Sequence, residues 1–160
     1  MENIEKHLRK AKTWNMVLIV FGILSVASSL WGLPTALNPV KETYDAMGDY
    51  GARMYEYVTS PIYKVIIIVS LVISIVLLVC YFMANKKLKE GKVPTKVPYF
   101  AKLAWTVISL IIGFILTPTG EFMGVDMSSV TQITSIVTSI LISIPTIIVI
   151  VHLFKAEPEE

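Results

Sequence analysis

The chain has 160 residues, of which 54% are apolar and only 16% charged, with a mean hydropathy of +0.68. A soluble domain carries roughly 25% charged residues, so this composition lacks the polar surface a soluble globule needs and reads as an integral membrane protein. A single cysteine excludes an intrachain disulfide and a Cys-rich metal site, and a net charge of +2 excludes a large electrostatic footprint for nucleic acid. The only two histidines, His7 and His152, stand at opposite ends of the sequence, which argues against a zinc cluster or a His-based triad.

A bilayer core about 30 Å thick is crossed by roughly 20 apolar residues in a helix, and four segments qualify. Residues 1–13 form a basic tail with Ile4, Leu8 and Ala11 at helical spacing, suited to lying along a membrane surface. The first span covers 14–33, closed by Pro34. Ser25-Val26-Ala27 resembles a cleavage site, but the apolar run continues to Leu33, too far for a signal-peptide core, so this helix is expected to stay uncleaved. The loop 34–60 is long for a helix connection. It is expected to hold an amphipathic helix from about Val40 to Val58, with Asn38 as cap and Pro39 in the first turn.

Ser60-Pro61 signals the entry to the second span, 62–84. A lysine-rich loop, 85–98, leads to the third span, 99–117, which ends at Pro118. The short loop 118–128 precedes the fourth span, 129–154, which Asp126 or Ser128 can cap, and residues 155–160 make an acidic tail. The expected fold is therefore an all-α, four-transmembrane-helix bundle with an amphipathic helix between spans one and two. Long apolar runs, in place of short alternating segments, exclude a β-barrel.

Eleven of the fourteen basic residues fall on one side of these spans, in the N-terminal tail, the loop 85–98, and at Lys102 and Lys155. Lys41, Arg53 and Lys64 are left for the other side. The positive-inside rule then places both termini in the cytoplasm of a cell membrane. Compact loops without a glycosylation sequon point to a bacterial plasma membrane.

Each span carries one small or hydroxyl stripe when drawn at 100° per residue. The stripes are Gly22 and Ser25 in the first span, Ser70 and Ser74 in the second, Ser109 and Gly113 in the third, and Thr131, Ser135, Thr138 and Pro145 in the fourth. Such stripes let helix backbones approach and hydroxyls bond across helices, so they are expected to face the bundle interior, either packed or lining a cavity. No Asp, Glu or Arg lies deep in a span. Lys64, Lys102 and His152 lie near span ends, where their polar heads can reach interfacial water.

On the outer helix Tyr44, Met47, Met54 and Tyr55 share an apolar face opposite Glu42, Asp45 and Asp49. Aromatic and methionine side chains are frequent interface anchors, so these four are the candidate partner-binding residues. The acidic face reads as solvated, not as a metal site.

The chain holds no Walker loop, no H-E-x-x-H, no G-x-S-x-G, no C-x-x-C and no Gly-rich dinucleotide loop. No nucleophile–base pair can be proposed, and no cofactor, catalytic residue or metal is expected. The reading that follows is a non-catalytic, multi-pass accessory protein: a partner-binding subunit, a regulator, or an immunity-type protector. Its partners would be the lipid bilayer and another membrane or extracytoplasmic protein, or a second copy. The alternative is a small transporter or channel component with a hydroxyl-lined interior.

Overall fold

A computed structural model describes residues 2–157. Among the described residues the protein is all-helical, with 83% of them in six helices, and four of these are long and apolar enough to cross a membrane. In chain order the elements are α1 (Glu2–Leu37), α2 (Glu42–Asp45), α3 (Gly48–Thr59), α4 (Pro61–Lys89), α5 (Val97–Leu116), β1 (Glu121–Phe122), β2 (Val125–Asp126) and α6 (Met127–Phe154).

α1 departs from the expected tail-plus-span at both ends. The basic tail is not a separate surface segment. It forms the first turns of one continuous helix, because Leu8 and Ala11 continue the apolar face of Leu18 and Ile19 and all four are buried together. Nor does Pro34 close the helix. A proline costs its own N–H bond but leaves later ones intact, and Asn38 N–H still donates to the Pro34 carbonyl at 3.0 Å. The helix stops where Pro39 bars Asn38 from helical geometry. α4 enters through Ser60, whose hydroxyl accepts from Tyr63 N–H, with Pro61 in the first turn. Its last turn carries Lys86, Lys87 and Lys89, which complement the negative end of the helix dipole.

α1 packs broadly against α4 and α6, α5 packs on α6, and α4 and α5 barely touch. The four long helices thus run in the order α4–α1–α6–α5 around an incompletely closed ring. Tight packing is concentrated at the end that holds the start of α1 and the end of α6. Leu8, Leu88, Tyr99, Val149, Leu153 and Ala156 lie buried there with Ala11 and Ala84. Toward the other end the helices separate, and grooves open between α1 and α4 and between α5 and α6.

The outer segment also differs from the single helix expected over Val40–Val58. Two helices, α2 and α3, meet at a bend, with Gly48 in the left-handed region at φ +58°. Asn38 does not cap the pair; the residue before α2 is Lys41, and its side chain makes no capping bond. α3 folds back on α2 so closely that a Cβ on Gly51 would stand 1.9 Å from the Tyr44 carbonyl oxygen. Only glycine permits that approach.

The loop before α6 forms a two-strand hairpin, Glu121 opposite Asp126 and Phe122 opposite Val125. Its turn residues, Met123 and Gly124, both have positive φ, the geometry that matches strand twist in tight hairpins. Gly120 lies under the Tyr50 ring: a Cβ there would sit 2.9 Å from Tyr50 Cδ2. Arg53 Nη1 donates to the Thr119 carbonyl at 3.0 Å. The outer layer is therefore pinned to the bundle's own hairpin.

Candidate interior binding site

The most polar part of the interior lies beside the tightly packed end. Asn15, on α1, is fully buried. Its Nδ2 donates to the Tyr81 carbonyl at 3.0 Å, and its Oδ1 accepts from Tyr99 Oη at 2.7 Å. One side chain thus ties α1 to α4 and α5. Tyr81 and Tyr99 stack with ring centroids 5.6 Å apart. Tyr99 is thereby satisfied. The Tyr81 hydroxyl, Asn85 Oδ1 and Thr146 Oγ1 are buried without a hydrogen-bond partner. Buried polar atoms are nearly always paired, so each orphan calls for an explanation.

Above this cluster, toward the open end, lies a half-enclosed cavity of about 360 Å³ between the four long helices. Its walls are mainly apolar, with Leu18, Phe21, Leu77 and Ile142 contributing. The polar groups on it are Ser25, Ser74, Tyr81 and Lys102. Lys102 is half-buried and forms no ion pair among the described residues. The sequence placed Lys102 near a span end; the structure adds that it lines this cavity, on the α5 face it shares with Tyr99 and Thr106 at spacings of three and four.

The other singled-out residues are divided between three places. Gly22, Ser25 and Ser74 line the cavity, and a Cβ on Gly22 would press on Leu78 Cδ1 at 2.9 Å. Ser70 lies with Ser25 and Ser74 in the α1/α4 groove. Ser109, Gly113, Thr131, Ser135 and Thr138 line the α5/α6 groove instead of a shared central interior. Ser109 and Thr138 are exposed there, and a Cβ on Gly113 would meet nothing within 4 Å. Gly113 is thus not at a close helix contact: α4 stays away from α5, and no neighbour occupies the groove. Pro145 is buried within an unbroken α6, next to the orphaned Thr146.

The face proposed for partner binding is partly consumed by the protein itself. Tyr50, Gly51 and Val58 are buried, while Tyr44, Met47, Met54 and Tyr55 are each half-buried. The Tyr44 and Tyr55 rings lie 5.7 Å apart. Outside the spans, Asp126 caps α6. Side-chain hydrogen bonds from Ser128 and Ser129, followed by their backbone N–H groups, hold its carboxyl down to about 2.

His7 and His152, remote in sequence, meet in space with Nδ1 to Nδ1 at 2.9 Å. At that distance one nitrogen must carry the proton and the other present its lone pair. Sequence separation was no guide to this contact, because antiparallel helices bring the start of α1 and the end of α6 together.

Comparison of the chain with protein-family models, with curated proteins and with solved structures returned no match.

Proposed function

We propose that this is a multi-pass membrane protein, with both termini cytoplasmic, whose interior receives a small molecule. It would act without catalysis, as a small transporter or channel component. The observation that carries this reading is the half-enclosed cavity between four apolar helices, bearing Lys102, which has no ion pair among the described residues. Ionisable groups inside a membrane span are costly and usually serve a pathway or a ligand. The lysine asymmetry supports the orientation. The test is flux in liposomes containing purified protein. Faster passage of small solutes or anions than in protein-free vesicles supports transport, and flux equal to that of protein-free vesicles refutes it. Cysteines placed at positions 3, 42 and 90 in a Cys80→Ala background test the orientation. Labelling of position 42 alone from outside the cell supports it, and labelling of position 3 or 90 from outside overturns it.

A second reading, a partner-binding accessory subunit, is favoured by the half-exposed Tyr44–Tyr55 pair on the pinned outer layer. A held platform lowers the ordering cost of binding. Tyr44→Ala with Tyr55→Ala should then weaken recovery of a co-purifying protein while leaving membrane insertion intact.

A further inference from the structure

We propose that the cavity binds a single-chain amphiphile with an anionic head, a carboxylate or a phosphate ester, placed against Lys102. The inference rests on the reading that the interior takes a small molecule, and it names the chemistry of that molecule.

Three observations converge. First, Lys102 stands at a cavity whose other walls are largely apolar, with no carboxylate paired to it among the described residues. An ammonium withdrawn from bulk water needs a counter-charge close by, and it repels a cationic ligand. Second, the cavity wall is held in place. Tyr81 lines the cavity while its hydroxyl is closed off from it. Asn15 fixes the Tyr81 backbone and the Tyr99 ring stacks on Tyr81, so the wall is ordered before a ligand arrives. Third, the rest of the wall is mainly apolar, with Leu18, Phe21, Leu77 and Ile142, and of its two serines Ser74 already donates to the Ser70 carbonyl. The volume of about 360 Å³ is at the small end for ligand sites. That suits one chain better than a two-chain phospholipid, and the half-open side lets a longer tail extend along the helices. An inorganic anion would leave the apolar wall unused, and a neutral lipid would leave Lys102 uncompensated.

The experiment uses the full-length protein in nanodiscs of zwitterionic lipid. Chains brominated near the head are titrated, and quenching of tryptophan is followed; Trp105 lies one turn beyond Lys102. Four probes share one chain length: a carboxylate, a phosphate monoester, an alcohol and an amine. The expected result is that one or both anions bind about tenfold or more tighter than the alcohol, with the amine weakest. Whichever anion binds tighter identifies the head group. Lys102→Gln should abolish the preference for the anions, and Lys102→Arg should retain most of it.

Circular dichroism and thermal unfolding check that each variant is folded. If Lys102→Gln does not fold, the wild-type ranking of the four probes and the retained preference in Lys102→Arg decide. Equal binding of anion and alcohol by the wild-type protein overturns the proposal, as does an unchanged preference in folded Lys102→Gln. Anion-selective binding without flux in the liposome assay leaves this site standing and removes the transport reading. Flux without head-group selectivity does the reverse.

Discussion

Asn15 is where a single substitution should be most informative about how the helices are held. It is buried on α1 and reaches both α4 and α5, through the Tyr81 carbonyl at 3.0 Å and Tyr99 Oη at 2.7 Å. An interhelical hydrogen bond in a membrane contributes about 0.6 kcal/mol on average and up to about 1.7. Asn15→Ala removes two of them. It also strands the Tyr99 hydroxyl at a fully buried position, at a cost of about 1–3 kcal/mol. The expected loss is therefore about 2–4 kcal/mol. Tyr99→Phe removes one bond and leaves Asn15 Oδ1 without its donor, at about 1–2 kcal/mol. Because either change destroys the same bond, the double variant should lose about 1 kcal/mol less than the two single losses combined. The assay is reversible unfolding in mixed micelles, read by far-ultraviolet circular dichroism, for the wild type, both single variants and the double variant. A coupling energy within about 0.3 kcal/mol of zero, with all four proteins folded, would refute the assignment of Asn15 as the clasp between these helices.

Other perturbations test separate parts of the fold. Gly22→Leu should destabilise by about 1–3 kcal/mol through overpacking against Leu78, while Gly113→Ala, facing open space, should be neutral or stabilising by up to about 1 kcal/mol; thermal unfolding in detergent ranks the two. Gly51→Ala should break the α2–α3 fold-back, since its Cβ would strike the Tyr44 carbonyl, and should speed amide exchange across residues 42–59 while leaving α4 protected. Gly120→Val should push Tyr50 off the hairpin and make the same outer segment more accessible to protease. For Asp126 the folded carboxyl is depressed from 3.8 to about 2. The cap is therefore at full strength above about pH 4 and fades as pH falls through about 2. Amide protection in the first turn of α6 should follow that curve in the wild-type protein and lose the pH dependence in Asp126→Asn.

The four long helices were legible because apolar runs of this length admit few alternatives, and the entries at Ser60-Pro61 and Asp126 carry their own capping chemistry. The interior stripes were legible as stripes, but not as a common interior. Gly22, Ser25 and Ser74 meet at one cavity, whereas Ser109, Gly113 and Thr131 open onto a different groove. A helical wheel ranks the faces of one helix and contains no information on which neighbour a face meets. The outer helix was read as continuous because its apolar periodicity runs through Gly48 and Gly51. Gly48 gives the bend, and Gly51, inside α3, gives the close approach to Tyr44.

The sequence by itself determined the material of this protein: four apolar helices, a lysine-rich end and an acidic opposite segment. These follow from composition, length and local backbone chemistry, which act along the chain. Only the tertiary structure decided that α1 stands between α4 and α6, that His7 meets His152, and that Lys102 and Tyr81 line one cavity. Those outcomes depend on which of several similar apolar faces pack best together. That choice is made by side-chain shape and buried hydrogen bonds between residues as far apart as Asn15 and Tyr99, and no periodicity along a single helix encodes it.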